Sequence, residues 1–152
     1  MSVSWGVVPL IPEAYDWLQR FGYDAKSKVG RYPTFDELWQ VLRSFAPVPI
    51  EKTQEDDTGL WSLTLGEFGS SYYAHLLGYD DGTNQFNFHF FGSGCREITM
   101  VEILQRLAAI CGPFVIFDHM SATPLLVDAD LKDIAYAIQK WQELFAARNP
   151  AT

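Results

Sequence analysis

The feature that most constrains this chain is a change of hydrophobic period in its middle third. Residues 61–65 alternate apolar and polar side chains, as a half-buried strand does. Residues 72–77 and 85–91 flank the turn-forming segment 80–84, and together they predict a β-hairpin with a longer loop. In the second strand of this hairpin one face carries only phenylalanines, namely Phe86, Phe88 and Phe90. The middle of the chain therefore predicts sheet.

Helical periods flank this segment on both sides. A capping box at Thr34 and Glu37 precedes apolar residues at three- and four-residue intervals, which predicts an amphipathic helix over residues 35–45. A second capping box, at Thr99 and Glu102, predicts the start of another helix that ends at the next glycine-proline pair.

The remaining elements lie at the two ends of the chain. Pro12 suits the first turn of a helix, and the apolar residues that follow it up to residue 21 have helical spacing. A last helix is expected to begin near Asp130. Residues 114–118 and 124–127 predict two further strands. The prolines in and after the apolar stretch 7–11 place it at a sheet edge or in coil.

Grouped strands with helices between the groups indicate an α+β fold. We expect one domain over residues 1–152, built from a mainly antiparallel sheet of about five strands and about four helices packed largely on one face. A doubly wound nucleotide-binding fold requires strict strand–helix alternation and a glycine-rich first turn, and the sequence contains neither.

Charge and composition narrow the possible partners. The chain has 11 Lys+Arg against 19 Asp+Glu, a net charge of −8, and 15% aromatic residues. Such a charge repels nucleic acid and anionic membranes, whereas it favours solubility and encounter with a basic protein. The N-terminus has no signal-peptide pattern, and the apolar run 107–117 is too short to span a bilayer. We therefore expect a cytoplasmic protein.

No spacing in the sequence predicts a metal, a cofactor or a disulfide framework. Cys95 and Cys111 stand alone, and we expect both to be reduced and packed. Cys95 precedes Arg96, and an arginine lowers the pKa of a thiol only where the two side chains are in contact. His75 and His89 lie on the two hairpin strands as possible cross-strand neighbours, but two ligands rarely make a site. We favour surface or hydrogen-bonded histidines.

The sequence also contains no arrangement that is typical of catalytic residues. Asp118 and His119 end a strand, and Asp128 and Asp130 follow the next strand; carboxylates and a histidine at strand ends can serve as a general base and its orienting partner. A hairpin turn at residues 118–121 and a helix cap at Asp130 explain these residues more simply. The sequence therefore predicts no enzyme.

Acidic and aromatic residues remain as the candidate partner-binding set. One group precedes the first clear strand, and the second tips the hairpin loop beside a tyrosine. Carboxylates on loops of a rigid sheet suit docking to a basic surface, with aromatic rings supplying contact area. The candidates are Glu51, Glu55, Asp56 and Asp57 in the first group, and Tyr79, Asp80 and Asp81 in the second.

Three segments together resemble a known class of bacterial proteins. Residues 31–34 lead into a helix, residues 73–79 belong to an aromatic hairpin, and residues 100–118 read as helix, Cys-Gly-Pro and apolar strand. In element order the chain resembles the immunity proteins of polymorphic toxin systems. The resemblance implies a cytoplasmic inhibitor that occludes the active site of one cognate toxin.

Two other functions stay open from the sequence. One is a small-ligand-binding domain or enzyme, with a pocket between sheet and helices and Asp118, His119, His75 or His89 near its mouth. The other is a homo-oligomeric structural module that buries spare aromatics at a self-interface, such as Trp5, Trp61 or Phe91.

Overall fold

A single antiparallel sheet of seven strands runs through the molecule in the order β2-β3-β4-β5-β1-β6-β7. The computed structural model describes residues 4–25, 28–55, 57–80 and 82–148. The strands are β1 (Ser4–Pro9), β2 (Ile50–Gln54), β3 (Leu60–Leu65), β4 (Ala74–Asp80), β5 (Phe86–Phe91), β6 (Phe114–Asp118) and β7 (Pro124–Val127).

Four α-helices accompany the sheet, as the sequence predicted. The first follows a 3-10 turn at Pro12–Ala14, where proline occupies the first helical position. The helices are α1 (Tyr15–Arg20), α2 (Phe35–Arg43), α3 (Glu97–Cys111) and α4 (Ile134–Arg148). The α+β class is confirmed, but the expected number of about five strands is wrong because β1 and β2 were missed.

Strand β1 lies inside the sheet and not at its edge. It pairs with β5 at Ser4 and Trp5, and with β6 from Trp5 to Pro9. Proline cannot donate to a ladder, but Pro9 is the last residue of the strand, so the ladder loses little there. The proline signal that suggested an edge or coil therefore marks the end of a central strand.

Strand β2 is the exposed edge strand. Its side chains from Glu51 to Gln54 are exposed and show no apolar alternation, so the sequence resembled a loop. Backbone pairing with β3 holds it, from Ile50 against Leu65 to Gln54 against Trp61. Glu51 consequently lies in a strand, whereas we had expected a loop position.

Helix starts were predicted with mixed success. At α2 the capping box is confirmed: Thr34 Oγ1 accepts from Glu37 N at 3.1 Å, and Glu37 Oε1 accepts from Thr34 N at 2.9 Å. The second box is wrong, since the N-cap of α3 is Arg96, three residues earlier, and Thr99 is fully buried within the helix. At the start of α4 the side chain of Asp133, and not that of Asp130, accepts a hydrogen bond from Tyr136 N, at 3.0 Å.

Two hydrophobic clusters lie on opposite faces of the sheet. Helices α2, α3 and α4 cover the face that we call the inner face, with buried residues such as Leu38, Leu104 and Trp141. On the outer face, α1 packs through Leu18 against Val115 of β6. Most of the helical surface is thus on one face.

Helix α1 leaves the outer side of strands β2–β5 uncovered by any described helix. The outward side chains of these strands belong to neither cluster and are partly or fully exposed. We call this surface the open face; its residues are Glu51, Thr53, Leu60, Ser62, Thr64, His75, Leu77, Tyr79, Asn87, His89 and Phe91.

Candidate protein-binding surface

Three described residues of the two predicted acidic groups, Glu55, Asp57 and Asp80, lie in neighbouring turns at one end of the sheet. The β2–β3 turn closes with a hydrogen bond from Glu55 N to Leu60 O at 2.8 Å. The β4–β5 turn joins it through Asp80 N, which donates to Gly59 O at 3.0 Å. Because β3 and β4 are paired neighbours, their loops at this end lie side by side. We call the residues Glu55, Asp57 and Asp80 of these turns the acidic corner.

Gly59 allows the two turns to approach this closely. Its φ of +92° lies in the left-handed region, and a Cβ atom there would stand 2.1 Å from Asp80 O. A side chain at this position would therefore push the turns apart.

The candidate residues are placed as follows. Glu55, Asp57 and Asp80 are exposed at the acidic corner, and Tyr79, 43% exposed, follows the outward register of the open face. Asp80 has the inward register, opposite Phe86, and its carboxylate accepts a hydrogen bond from Gly82 N at 3.0 Å. Glu51 faces the same way near the other end of β2, opposite Thr64. Asp56 and Asp81 lie outside the described residues.

A shallow groove on the open face begins beside the acidic corner. Its volume is about 220 Å³, and its floor crosses β3, β4 and β5. Leu60 and Tyr79 face each other across β3 and β4, and Leu77 lies opposite His89 of β5. The open face therefore combines an apolar groove with a negatively charged end.

Sequence reasoning missed the groove residues Leu60 and Leu77. A signal was present, since the strand residues that alternate with the buried set must point outward. Outward Leu, Tyr and Phe side chains on several neighbouring strands indicate an apolar outer surface. The helix count did not show which part of that surface α1 would leave open.

Two of the chain's three histidines, His75 and His89, lie on the open face, and His119 follows β6 with its ring stacked on Phe117. His75 contacts Ser62 Oγ at 3.3 Å and Thr64 Oγ1 at 3.2 Å through its two ring nitrogens. Partial burial lowers the pKa of His75 and of His89 below the ordinary value, and His119 and His75 lower that of His89 further. Both rings are therefore mainly neutral at pH 7.

The hairpin histidines do not form the cross-strand pair that we considered. Residue 89 is paired with Leu77, so His75 lies two positions away along β4. Within the described residues, no three His, Cys, Asp or Glu side chains are arranged to hold a metal ion.

Two carboxylates that the sequence offered as catalytic candidates, Asp118 and Asp128, have local partners. Asp118 accepts hydrogen bonds from Ser121 N at 2.6 Å and Thr123 N at 3.1 Å, which makes it the anchor of the β6–β7 turn. Asp128 forms an ion pair with Lys28. The turn interpretation of residues 118–121 is confirmed.

Both cysteines are buried and unpaired. Cys95 Sγ accepts from His75 N at 3.3 Å, and burial raises the pKa of its thiol. Burial also raises the pKa of Cys111 to about 11. Neither thiol has the lowered pKa of a nucleophile.

In the described part of the chain no helix has the length and apolar character needed to cross a membrane. Comparison of the sequence with protein-family models, and of the chain with curated proteins and solved structures, gave no match.

Proposed function

We propose that this chain is a protein-binding inhibitor of the immunity type, whose open face docks on a basic protein and covers its active site. The observation that carries the proposal is the acidic corner, where two hydrogen-bonded turns distant in sequence bring together Glu55, Asp57 and Asp80, and where Glu55 pairs with the groove residue Leu60. Charge and apolar area are the two components that a docking surface needs.

The electrostatic part of this surface acts before contact. A cluster of exposed carboxylates on a chain of net charge −8 attracts a basic surface and orients it toward the acidic corner. Steering of this kind raises association rates by about 10- to 1,000-fold at low salt. Glu55, Asp57 and Asp80 supply it here.

The apolar part of the surface supplies affinity after contact. Tyr79 is a large amphipathic side chain beside the groove that runs past Leu60 and Leu77. An apolar side chain of the partner that enters this groove would remove both surfaces from water, at about 25 cal/mol per Å² of apolar area. Aromatic anchors with surrounding polar residues are typical of binding hot spots.

The sheet keeps the docking surface in one shape. The groove side chains come from three hydrogen-bonded strands. Their inward neighbours on β5, Phe86, Phe88 and Phe90, are buried in the hydrophobic cluster of the inner face. A preorganised surface loses little conformational entropy on binding. Inhibition by steric cover requires no bond making and no cofactor.

The first experiment captures the partner and tests inhibition. The tagged protein is incubated with lysate of its own source, and a stoichiometric partner retained at low salt is identified by mass spectrometry. We expect that partner to be basic and to arrest growth when expressed alone. Co-expression of the chain should restore growth.

Two results would contradict the proposal. A stoichiometric partner whose toxicity or activity is unaffected by an equimolar amount of the chain excludes inhibition. A partner that is acidic and bound equally at low and high salt excludes the open face with its acidic corner as the docking surface.

A further inference from the structure

A second cavity lies at the opposite end of the sheet from the acidic corner. It has a volume of about 300 Å³ and is bounded by the ends of β1 and β6, the start of α3 and the C-terminal half of α4. This size is at the lower limit of small-molecule pockets, which run from about 300 to 1,000 Å³. The cavity suits a compact ligand.

The cavity walls are aromatic and apolar. Trp5 comes from β1, Trp141 and Phe145 come from α4, and Met120 comes from the β6–β7 turn. Trp141 is fixed, because its indole N–H donates to Thr123 O at 2.8 Å and its ring is only 5% exposed. Met120 is 87% exposed, so a flexible thioether stands at the entrance.

The charged groups of the cavity are carboxylates. Asp118 and Glu97 line it together with His119, and no lysine or arginine of the described chain does so. Turn hydrogen bonds occupy Asp118. Glu97 is half-buried as the first residue of α3, and its carboxylate forms no side-chain hydrogen bond or ion pair with another described residue.

We propose that this cavity binds a small organic cation, a primary ammonium on a compact aromatic body. The ring would stack among Trp5, Trp141 and Phe145, while the ammonium would pair with the carboxylate of Glu97. Tryptophan faces attract cations, and a carboxylate inside an apolar wall favours a charged donor over a neutral one. The site is independent of the open face.

Three matched probes separate charge from shape. Phenethylamine, phenethyl alcohol and 3-phenylpropionate have similar size and the same ring, but they are cationic, neutral and anionic at pH 7. We expect the affinity order amine, alcohol, carboxylate in calorimetric titration. The alcohol should bind about tenfold more weakly than the amine, the effect of one charge-assisted hydrogen bond.

Methionine methyl groups report the location of binding. Met120 lines the cavity entrance, whereas Met100 is fully buried in the main core. In protein labelled with methyl-¹³C methionine, the amine should shift the Met120 resonance during titration and leave that of Met100 nearly unchanged.

Glu97→Gln tests the carboxylate, with Glu102→Gln on the same helix as control. We expect Glu97→Gln to weaken the binding of phenethylamine about tenfold without weakening that of phenethyl alcohol, and Glu102→Gln to change neither affinity.

The inference is wrong if amine and alcohol bind equally, or if both variants behave as wild type. It is also wrong if the amine does not bind saturably at low millimolar concentration. The small-ligand assignment is also overturned if a lysine-bearing peptide shifts the Met120 methyl resonance while phenethylamine does not bind.

Discussion

At the scale of single residues, carboxylates in this chain serve distinct purposes. Glu37 completes the α2 capping box, and its carboxylate accepts hydrogen bonds from both terminal nitrogens of Arg31, at 2.8 and 2.9 Å. Asp118 holds a turn, and Asp133 holds the start of α4. Glu55 lies exposed at the acidic corner. Glu37, Asp118 and Asp133 stabilise the fold, and we propose that Glu55 contacts a protein partner.

The first prediction concerns the Glu37 carboxylate and pH. Hydrogen bonds from Arg31 and Thr34 lower its pKa from 4.5 to about 2. Since the pKa is lower in the folded state, the stabilisation is complete above about pH 4.5 and is lost as the pH falls toward 2. Glu37→Gln should lower the free energy of unfolding by about 1 kcal/mol at pH 7.

Urea unfolding at a series of pH values measures this effect. The difference between wild type and Glu37→Gln should shrink below pH 4.5, whereas the control Glu102→Gln should show little difference at any pH. A difference for Glu37→Gln that stays constant from pH 7 to pH 2.5 would show that its charge is not the cause.

The second prediction concerns the contact between Gly78 and Phe86. A Cβ atom at Gly78 would lie 2.1 Å from the Phe86 ring, which is fully buried and in edge contact with Phe35. Gly78→Ala should therefore destabilise the protein by about 1–3 kcal/mol in chemical unfolding. Combined with Phe86→Leu, the same change should cost clearly less; purely additive effects would contradict overpacking.

At the scale of elements, the sequence predicted what adjacent residues decide. The Thr34–Glu37 box is a local pattern, and its helix begins where we expected. The similar pattern at Thr99 failed because that threonine belongs to the buried side of a helix that starts earlier. Packing against the sheet selected the register of α3, and residue spacing alone does not contain that information.

The missed strands and the site follow the same rule. Ile50–Gln54 became a strand through pairing with β3, although its own side chains are exposed. The acidic residues are candidates from the sequence, but the proximity of Glu55 and Asp80 depends on the pairing of Leu60 with Tyr79. Strand register brings the two turns together, and a sequence pattern does not specify which strands pair.

The third prediction concerns the attachment of α4. Trp141→Phe keeps an aromatic ring in the core but leaves the buried Thr123 carbonyl without its indole donor. We expect a loss of about 1–3 kcal/mol in the free energy of unfolding. Trp61→Phe is the control, because its indole donates no hydrogen bond to a described residue. Equal losses in the two variants would mean that ring volume, and not the hydrogen bond, is responsible.

At the scale of the whole molecule, helices divide the sheet into a covered part and an open part. Three helices cover the inner face, and α1 covers the outer face over β6 and its neighbours. The open face remains, with the acidic corner at one end. The cavity beside Glu97 lies at the other end, so the two ligands that we propose would bind at separate places.

The fourth prediction concerns salt. Screening lengths fall from about 10 Å at 0.1 M to about 3 Å at 1 M ionic strength. If the acidic corner steers a basic partner, the association rate should fall at least about tenfold over this range, while the dissociation rate changes less. Stopped-flow or biosensor kinetics measure both rates; a salt effect confined to dissociation would contradict steering.

The most direct test compares two charge-reversal variants for affinity to the captured partner. Glu55→Lys/Asp57→Lys reverses the acidic corner, and Glu102→Lys/Glu143→Lys makes the same change of charge on α3 and α4. We predict that the first variant loses at least about 100-fold in affinity, mostly through slower association, and that the second binds nearly as wild type. Equal affinity of the two variants would contradict docking through the acidic corner and the open face.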